Sequence, residues 1–373
     1  MYRLLKRVIY RGARALGLFR LAWLLTGRGL RILGYHALSR DDEHHYAPDV
    51  FMAQATFRRR LALLKRWRVT VLGLGDALAR LDAGTLPRGA TVVTFDDGWA
   101  TTAEAVRLLR SDAMPATVYV TTQEALSAEP VFRHVVRYLL QRTKTETLTL
   151  EGLLDDGRTT ASIRTTEEQQ VLAEQLIARW EPERDPAGLE AIARTLAARL
   201  GDSYDRIVTS GLLTMLGAEG VRTLAHEGTD IQLHTHRHHF PVGALEALSE
   251  LRENREHLEP LTSATTEHFC YPCGRWSPEH WRPLHEAGVK TAVTSDPGFN
   301  YRATPRLALK RFLDSECISD IEFEAEISGF QELLRRARGA VSRAVRRSSA
   351  TAAAVGGHPA VEPLLLVAAT LEA

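Results

Sequence analysis

The sequence predicts an α/β fold whose parallel strands are closed, or nearly closed, into a barrel. Short runs rich in β-branched and apolar residues alternate along the chain with stretches of helical periodicity, an alternation typical of a parallel sheet. Two of these runs lead directly into chemically active side chains, at 96–97 and at 234–238. Because α/β folds place their chemistry at the carboxyl ends of the strands, we expect the site there.

The composition is that of an ordinary soluble protein, with 45% hydrophobic and 25% charged residues. The 373 residues suffice for one large α/β domain with an insertion, or for two domains. A net charge of +1 provides no overall attraction to nucleic acid, so no nucleic-acid partner is expected. The three cysteines cannot all pair, which argues against a disulfide scaffold.

The predicted elements follow one another from residue 31 to residue 312. Strands are expected at 31–36, 69–74, 91–95, 116–121, 231–234, 268–271, 290–294 and 307–312. Helices are expected at 49–67, 76–81, 101–109, 131–141, 166–180, 188–200, 211–226, 243–258 and 278–287. Asp49 is the expected cap of the first helix, and Thr101 with Glu104 matches a capping box at the third.

About 100 residues separate the strand at 116–121 from the strand at 231–234, far more than one crossover needs. This stretch predicts a helical insertion, either a lid that selects substrate or an elaboration remote from the site. The segments are therefore expected at 1–30 (a basic amphipathic segment), 31–127 and 211–337 (the two parts of the barrel), 128–210 (the insertion) and 338–373 (a disordered tail).

The first 30 residues mix arginines with large apolar residues. The arginines recur too often for a signal-peptide core, and no run reaches the roughly 18 apolar residues of a membrane span. Residues 1–28 are interpreted either as a helix on an anionic membrane surface or as a helix covering the end of the barrel. We accordingly expect the chain in the cytoplasm or on the cytoplasmic membrane face.

A carboxylate and two imidazoles from separate strand ends match a catalytic metal site with an open coordination position. The histidine cluster leaves other ligand pairs open, such as His234 with His236, and a purely structural pair is a further interpretation. Cys270 and Cys273 form a Cys-x-x-Cys, but without the second pair of a structural zinc site or the helix start of a redox site.

These motifs resemble those of the polysaccharide deacetylases, the NodB-homology group or carbohydrate esterase family four. The first motif is Thr94-Phe95-Asp96-Asp97-Gly98 and the second is His234-Thr235-His236-Arg237-His238. Supporting fragments keep the family's order at 33–36, 115–117 and 269–274. The resemblance covers roughly residues 30 to 330, less the stretch between the first two motifs. It implies a distorted parallel (β/α) barrel of the NodB-homology type.

The resemblance also implies roles for the motif residues. Asp97, His234 and His238 match the family's metal ligands, with Zn²⁺ as the expected ion and Co²⁺ or Ni²⁺ as alternatives. Asp96 matches the catalytic base, and Thr235 matches a hydroxyl residue that steadies the histidine loop. By the family's spacing, no metal role is expected for the remaining imidazoles, those of His236 and His239.

The third motif departs from the family's pattern. Cys270 stands where the family has the arginine that orients the base, and Cys273 stands where it has an aromatic residue. The backbone N–H of Cys273 can still bind an oxyanion, because a backbone donor survives a side-chain change. Arg311, at the end of the predicted strand 307–311, is the candidate for orienting Asp96, with Lys310 behind it.

The family's Leu-x-His motif, which supplies the general acid, is not visible. His36, at the end of the first predicted strand, is the candidate to protonate the leaving amine. Trp99 and Trp276 flank the first and third motifs and are expected either to stack on sugar rings or to lie in the core.

The resemblance implies a metal-dependent hydrolase that removes an N-acetyl or other N-acyl group from an amino sugar. The sugar would belong to an N-acetylated glycan or a lipid-linked sugar. A glycosidase is disfavoured, because the acid pair is too closely spaced and the histidines would have no role. The remaining alternative is a catalytically weak or silent barrel that binds carbohydrate, favoured by the missing arginine and the missing Leu-x-His.

Overall fold

The structure is a computed structural model that describes residues 2–183 and 185–355. Its strands are β1 (Arg31–Tyr35), β2 (Ala37–Ser39), β3 (Phe51–Ala53), β4 (Thr70–Val71), β5 (Ala90–Phe95), β6 (Thr117–Val120), β7 (Thr147–Thr149), β8 (Thr160–Ser162), β9 (Asp230–Leu233), β10 (His268–Cys270), β11 (Thr291–Val293) and β12 (Phe312–Leu313).

The helices alternate with these strands over most of the chain. They are α1 (Tyr2–Ala15), α2 (Leu18–Thr26), α3 (Glu43–Tyr46), α4 (Gln54–Arg66), α5 (Leu74–Ala83), α6 (Thr102–Arg110), α7 (Thr122–Ala125), α8 (Phe132–Arg142), α9 (Thr166–Trp180), α10 (Pro186–Arg199), α11 (Tyr204–Ser210), α12 (Gly217–His226), α13 (Ala244–Thr262), α14 (Trp281–Glu286), α15 (Asp320–Ile327) and α16 (Phe330–Val355). Short 3₁₀ turns lie at Glu181–Glu183, Pro272–Gly274 and Pro278–His280.

Within the described residues the main sheet has eight strands, in the order β11-β10-β9-β6-β5-β1-β12, with β4 beside β5. All of its pairs are parallel. A single bridge between Val293 and Leu309 links the two outer ends, so the sheet almost closes on itself. This arrangement confirms the predicted distorted parallel (β/α) barrel.

Strand β5 lies in the middle of this sheet, and all six of its residues are buried. It pairs with β1 along 91–95, with β4 at its first residues and with β6 at its last. Its β-branched and apolar residues suit a strand covered on both faces. The residues that follow β5, Asp96 and Asp97, therefore lie at the carboxyl edge of the sheet, near its centre.

One predicted helix start and one predicted helix cap are wrong. The helix expected from Asp49 begins at Gln54, because 51–53 pairs with β2 as a strand. The capping box is absent: the hydroxyl of Thr101 accepts a hydrogen bond from the N–H of Leu38 at 3.1 Å. The other half of that box, Glu104, pairs with Arg40 at 3.1 Å. In both cases contacts distant in sequence replace the local ones.

Three further expectations need correction. The stretch 128–210 contains the antiparallel hairpin β7–β8 as well as helices. The helix expected at 211–226 starts only at Gly217, because α11 runs to Ser210 and is capped by Gly211 with φ 62°. The strand expected at 307–312 is reduced to β12. Leu309 still bridges to β11, but the N–H of Arg311 donates to the carbonyl of Asp296, in a loop, at 3.0 Å.

The tail expected to be disordered from 338 continues α16 as far as Val355, which accords with the high helix propensity of its arginines and alanines. Residues 356–373 lie outside the described part of the chain. No helix among the described residues combines the length and apolar character that a membrane span requires.

Gly34 allows β12 to approach β1 closely. A Cβ at this position would lie 2.5 Å from Cδ2 of Leu313 and 3.1 Å from Nε of Arg311. A glycine inside a strand often marks such a close approach. The absence of a side chain here therefore determines where the Arg311 guanidinium lies.

We predict that Gly34→Ala lowers the free energy of unfolding by about 1–3 kcal/mol, because the added methyl overpacks the β1–β12 contact. Urea denaturation measures this effect. Gly73→Ala is the matched control, since nothing lies within 4 Å of a Cβ built there. Equal effects of the two substitutions would contradict the role given to Gly34.

Candidate active site

The two aspartates follow β5 at a sharp turn that sends their side chains in different directions. The N–H of Asp96 still continues the ladder, donating to the carbonyl of Tyr35 at 2.9 Å. Asp97 then has φ 70° and Gly98 φ 93°. A Cβ on Gly98 would lie 3.1 Å from that of Ala125, so the tight turn suits glycine.

Asp96 is buried against the guanidinium of Arg311. Its Oδ1 accepts from Nη1 at 2.6 Å and its Oδ2 accepts from Nη2 at 2.7 Å. Burial opposes ionisation, but the adjacent guanidinium outweighs it and lowers the pKa of the Asp96 carboxyl. This bidentate geometry fixes the carboxylate plane as well as its charge.

The guanidinium is itself held by groups from other strands. Its Nη1 donates to the hydroxyl of Thr94 at 3.2 Å, and its Nε donates to the carbonyl of Thr294 at 3.2 Å. The thiol of Cys270 lies 3.2 Å from its Nη2. Arg311 therefore occupies the position that the sequence suggested, while Cys270 packs beside it.

Asp97 faces two imidazoles. Its Oδ1 lies 3.3 Å from Nε2 of His234 and 3.4 Å from Nε2 of His238. Burial opposes ionisation of Asp97, but the contact with His234 and the charge of His238 outweigh it, and the pKa of the carboxyl falls well below its usual range. The three expected ligands thus converge from the ends of β5 and β9.

The donor atoms of this cluster suit a divalent cation. Oδ1 of Asp97 is buried and has no hydrogen-bond partner. Nδ1 of His234 lies 2.8 Å from the carbonyl of Cys270, and donating there leaves the Nε2 lone pair free. One carboxylate oxygen and two imidazole nitrogens form a ligand set typical of catalytic zinc.

Asp96, His234 and Cys270 form a second group with metal-binding atoms close together. Two observations disfavour it. Both oxygens of Asp96 already bind Arg311, and burial raises the pKa of the Cys270 thiol, whereas a metal ligand must be a thiolate. The described geometry therefore favours Asp97, His234 and His238.

Four residues support this cluster. Thr122, Glu250 and Asn254 were missed from the sequence, and Trp99 was expected only to stack on a sugar or to lie in the core. Trp99 donates its Nε1–H to Oδ2 of Asp97 at 3.0 Å, and its buried ring cannot stack on a sugar. Asn254 accepts from the N–H of His234 at 2.9 Å. Glu250 accepts hydrogen bonds from the backbone N–H groups of residues 236 and 237 in the same loop. Thr122 lies 2.8 Å from Nδ1 of His236.

A weak signal for two of them exists in the sequence. Glu250 and Asn254 are four residues apart on α13, on the face that also buries Leu251 and Leu258. A polar residue on an apolar helix face needs a buried partner. The partner here is the backbone of the histidine loop.

The other expected residues divide between the site and its surroundings. The hydroxyl of Thr235, expected to steady the loop, is buried without a partner. His239 and Lys310 are exposed, and Trp276 donates to Asp296 at 2.9 Å. Cys270 and Cys273 are free thiols, one buried and one exposed.

A cavity of about 330 Å³ lies over the aspartates and histidines. His36 and Cys273, the candidates for proton donor and oxyanion donor, both line it. Arg133, His134 and Arg137 also line it and come from α8. The predicted insertion therefore borders the candidate site, at least through this helix. Burial lowers the pKa of His134 to about 3, so its imidazole is neutral at physiological pH.

A family profile for polysaccharide deacetylases matches residues 83–182 and 190–292, which together exceed half of the chain. The chain belongs to the polysaccharide deacetylase family. Its members hydrolyse C–N amide bonds other than peptide bonds and are generally metal-dependent. The first matching segment runs through α8 and α9, so the family resemblance extends further into 128–210 than the motifs alone indicated.

Solved structures of other deacetylases share the fold. A Streptococcus pyogenes deacetylase, PplD, solved in complex with acetate, is 15% identical over 80% of this chain and 98% of its own, with a TM-score of 0.52. A putative polysaccharide deacetylase from Bacillus anthracis, BA0330, is 18% identical over 80% of this chain and 69% of its own, with a TM-score of 0.50. No curated protein sequence matches the chain.

We predict that Asp96→Asn lowers the free energy of unfolding by about 3–5 kcal/mol in the presence of a chelator. The substitution leaves the buried Arg311 guanidinium without an anionic partner. Asp296→Asn, at an exposed carboxylate, is expected to change it by only about 0.5 kcal/mol. Urea denaturation of both variants measures the difference, and equal stabilities would contradict the burial argument.

Proposed function

We propose that the protein is a metal-dependent hydrolase that removes the N-acetyl group from an amino sugar. The observation that carries this proposal is the meeting of the unpartnered Oδ1 of Asp97 with Nε2 of His234 and of His238, next to a second, ionised carboxylate. A metal-dependent hydrolase needs both a position for the ion and a base beside it. Membership of the deacetylase family supports the same reaction.

We propose that Asp97, His234 and His238 hold the ion, with zinc as the first candidate and cobalt or nickel as alternatives. A bound divalent ion lowers the pKa of a coordinated water and polarises an amide carbonyl. The hydrogen bonds of Trp99 and Asn254 keep the carboxylate and the histidine loop in place for this role.

Asp96 is the proposed base. Each of its oxygens accepts one hydrogen bond from Arg311, and a carboxylate oxygen has a second lone pair that can accept a proton from water. The guanidinium keeps the carboxyl ionised and its plane fixed, at the cost of weaker basicity. Arg311 is therefore a positioning residue, taking the part that the family's third motif normally supplies.

The remaining groups would act on the amide itself. The N–H of Cys273, in a strained turn with φ 54°, is proposed to donate to the oxygen on which negative charge develops. His36 is proposed to protonate the nitrogen as the C–N bond breaks and acetate leaves. Both assignments are supported by their place in the wall of the cavity.

The proposed substrate is an acetylated glycan larger than one sugar. A second cavity of about 650 Å³ shares Glu124 and Arg133 with the catalytic cavity. Its lining includes the apolar Phe132 and Leu189 and the ring of Tyr204. Apolar walls with a few charged groups are typical of ligand sites.

We also propose that residues 1–28 hold the protein at a membrane surface.

We predict that His238→Ala abolishes stoichiometric zinc binding, because it removes one of three ligands. His239→Ala is the matched control: its imidazole is adjacent in sequence but exposed and outside the cluster. Elemental analysis of the purified, zinc-loaded variants measures the metal content. Equal zinc content in the two variants would remove His238 from the proposed ligand set.

We predict that Asp96→Asn lowers kcat for acetate release from soluble N-acetylglucosamine oligomers by about 10²–10⁴-fold, the usual loss when a general base is removed. Zinc content and the far-UV circular dichroism of the variant should stay those of the wild type. Loss of zinc in this variant would contradict the division of roles between the two aspartates. Oligomer binding without acetate release by the wild type would instead support the carbohydrate-binding alternative.

A further inference from the structure

Helices α1 and α2 and the turn between them expose many large apolar side chains to solvent. We call this surface the N-terminal apolar face; it comprises Leu4, Leu5, Val8, Ile9, Leu16, Leu21, Leu24 and Leu25, each at least half exposed. Most of the large hydrophobic side chains that the described residues expose belong to these two helices. A contiguous apolar patch on a folded protein usually marks a site of contact with a partner or a membrane.

The face is exposed although the helices are anchored to the fold. On their other side, Tyr10 and Phe19 are buried and contact Phe330, with ring centroids 5.9 and 5.1 Å apart. Tyr10, Ala13 and Phe19 form a buried cluster with Ile321 and Ala325 of α15. The helices are therefore held in place by one side while the outer side has no apolar partner among the described residues.

The charged residues of the N-terminal segment itself are all positive. Residues 1–30 contain seven lysines and arginines and neither aspartate nor glutamate. Some of these cations pair with α15, as Lys6 does with Glu322 at 3.1 Å. Arg11, Arg20 and Arg28 are exposed and have no carboxylate partner among the described residues. Unpaired cations beside an apolar face are complementary to the headgroups and acyl chains of an anionic bilayer.

The end of α2 lies at the amino end of β5. Gly27 directly follows α2, and its carbonyl accepts a hydrogen bond from the N–H of Gly89 at 2.9 Å. Gly89 is the residue before β5. A Cβ on Gly89 would lie 2.1 Å from the ring of Trp23. The aspartates of the active site follow the opposite end of β5, about 20 Å away at the usual rise of a strand.

We infer that the N-terminal apolar face binds an anionic bilayer and that the catalytic cavity then faces away from it. The conclusion about substrate that follows from this orientation rests on the proposed function. A single sugar attached directly to a lipid remains in the headgroup layer and cannot reach the carboxyl edge of the barrel. The substrate is therefore an N-acetylated amino sugar that projects from the surface on a glycan, or that belongs to a soluble glycan.

Vesicle sedimentation tests the contact. The wild type should pellet with vesicles of phosphatidylcholine and phosphatidylserine and much less with phosphatidylcholine alone. The combined substitutions Leu21→Ser, Leu24→Ser and Leu25→Ser should weaken pelleting at least about tenfold, because each removes hydrocarbon that the bilayer would bury. Leu245→Ser, at an exposed leucine elsewhere, is the matched control and should pellet like the wild type.

Three outcomes would overturn the contact: no pelleting of the wild type, equal loss in the Leu245 control, or a dimer in sedimentation velocity that the triple substitution dissociates. The last would make the face a contact between two copies of the chain. Acetate release from soluble N-acetylglucosamine oligomers should be unchanged in the triple variant. Failure of vesicle binding with intact acetate release would separate this inference from the proposed function.

Depth-dependent fluorescence quenching tests the orientation. A fluorophore is attached through Leu25→Cys or through Leu245→Cys, in a background with Cys273→Ser and Cys317→Ser. Position 245 lies at the start of α13, directly after the histidine loop, and so marks the catalytic edge. Spin-labelled lipids should quench the label at 25 and not at 245. Quenching at 245, or acetate release from an N-acetylglucosaminyl lipid in vesicles, would overturn the orientation and its consequence.

Discussion

The candidate site depends on a buried ion pair between Asp96 and Arg311. The carboxylate follows β5 at the centre of the sheet, and the guanidinium precedes β12 at one end, with β1 between the two strands. Both groups are almost wholly buried, so removing either charge leaves the other buried without its partner, at a large cost in stability. The pair therefore ties the closure of the barrel to the ionisation state of the proposed base.

The pair also explains how the chain departs from its family without losing the site. Where the resemblance leads one to expect an arginine, Cys270 presents a neutral thiol 3.2 Å from the guanidinium of Arg311. The cation reaches Asp96 from another segment, through the space that Gly34 leaves open. We read this as the same interaction supplied from a different position in the chain, because the chemistry requires the charge and its direction rather than a particular strand.

The fold class and the positions of the acid pair and the histidines could be predicted from the sequence, because strand ends, short motifs and their order are local signals. Arg311 could be proposed from its place in the chain, although its predicted strand was too long. The partners of Glu250 and Asn254 could not be predicted, since each bond depends on the approach of elements distant in sequence. The capping box at Thr101 is absent because the Thr101 hydroxyl accepts a hydrogen bond from the N–H of Leu38, which is distant in sequence.

The most direct measurement of the central claim is X-ray absorption at the zinc edge of the zinc-loaded protein. We expect nitrogen and oxygen ligands at about 2.0–2.1 Å, with the multiple-scattering pattern of two imidazoles, as Asp97, His234 and His238 would provide. A sulfur ligand at about 2.3 Å would place the ion on Cys270 instead. That result, or a spectrum without imidazole, would contradict the proposed active site.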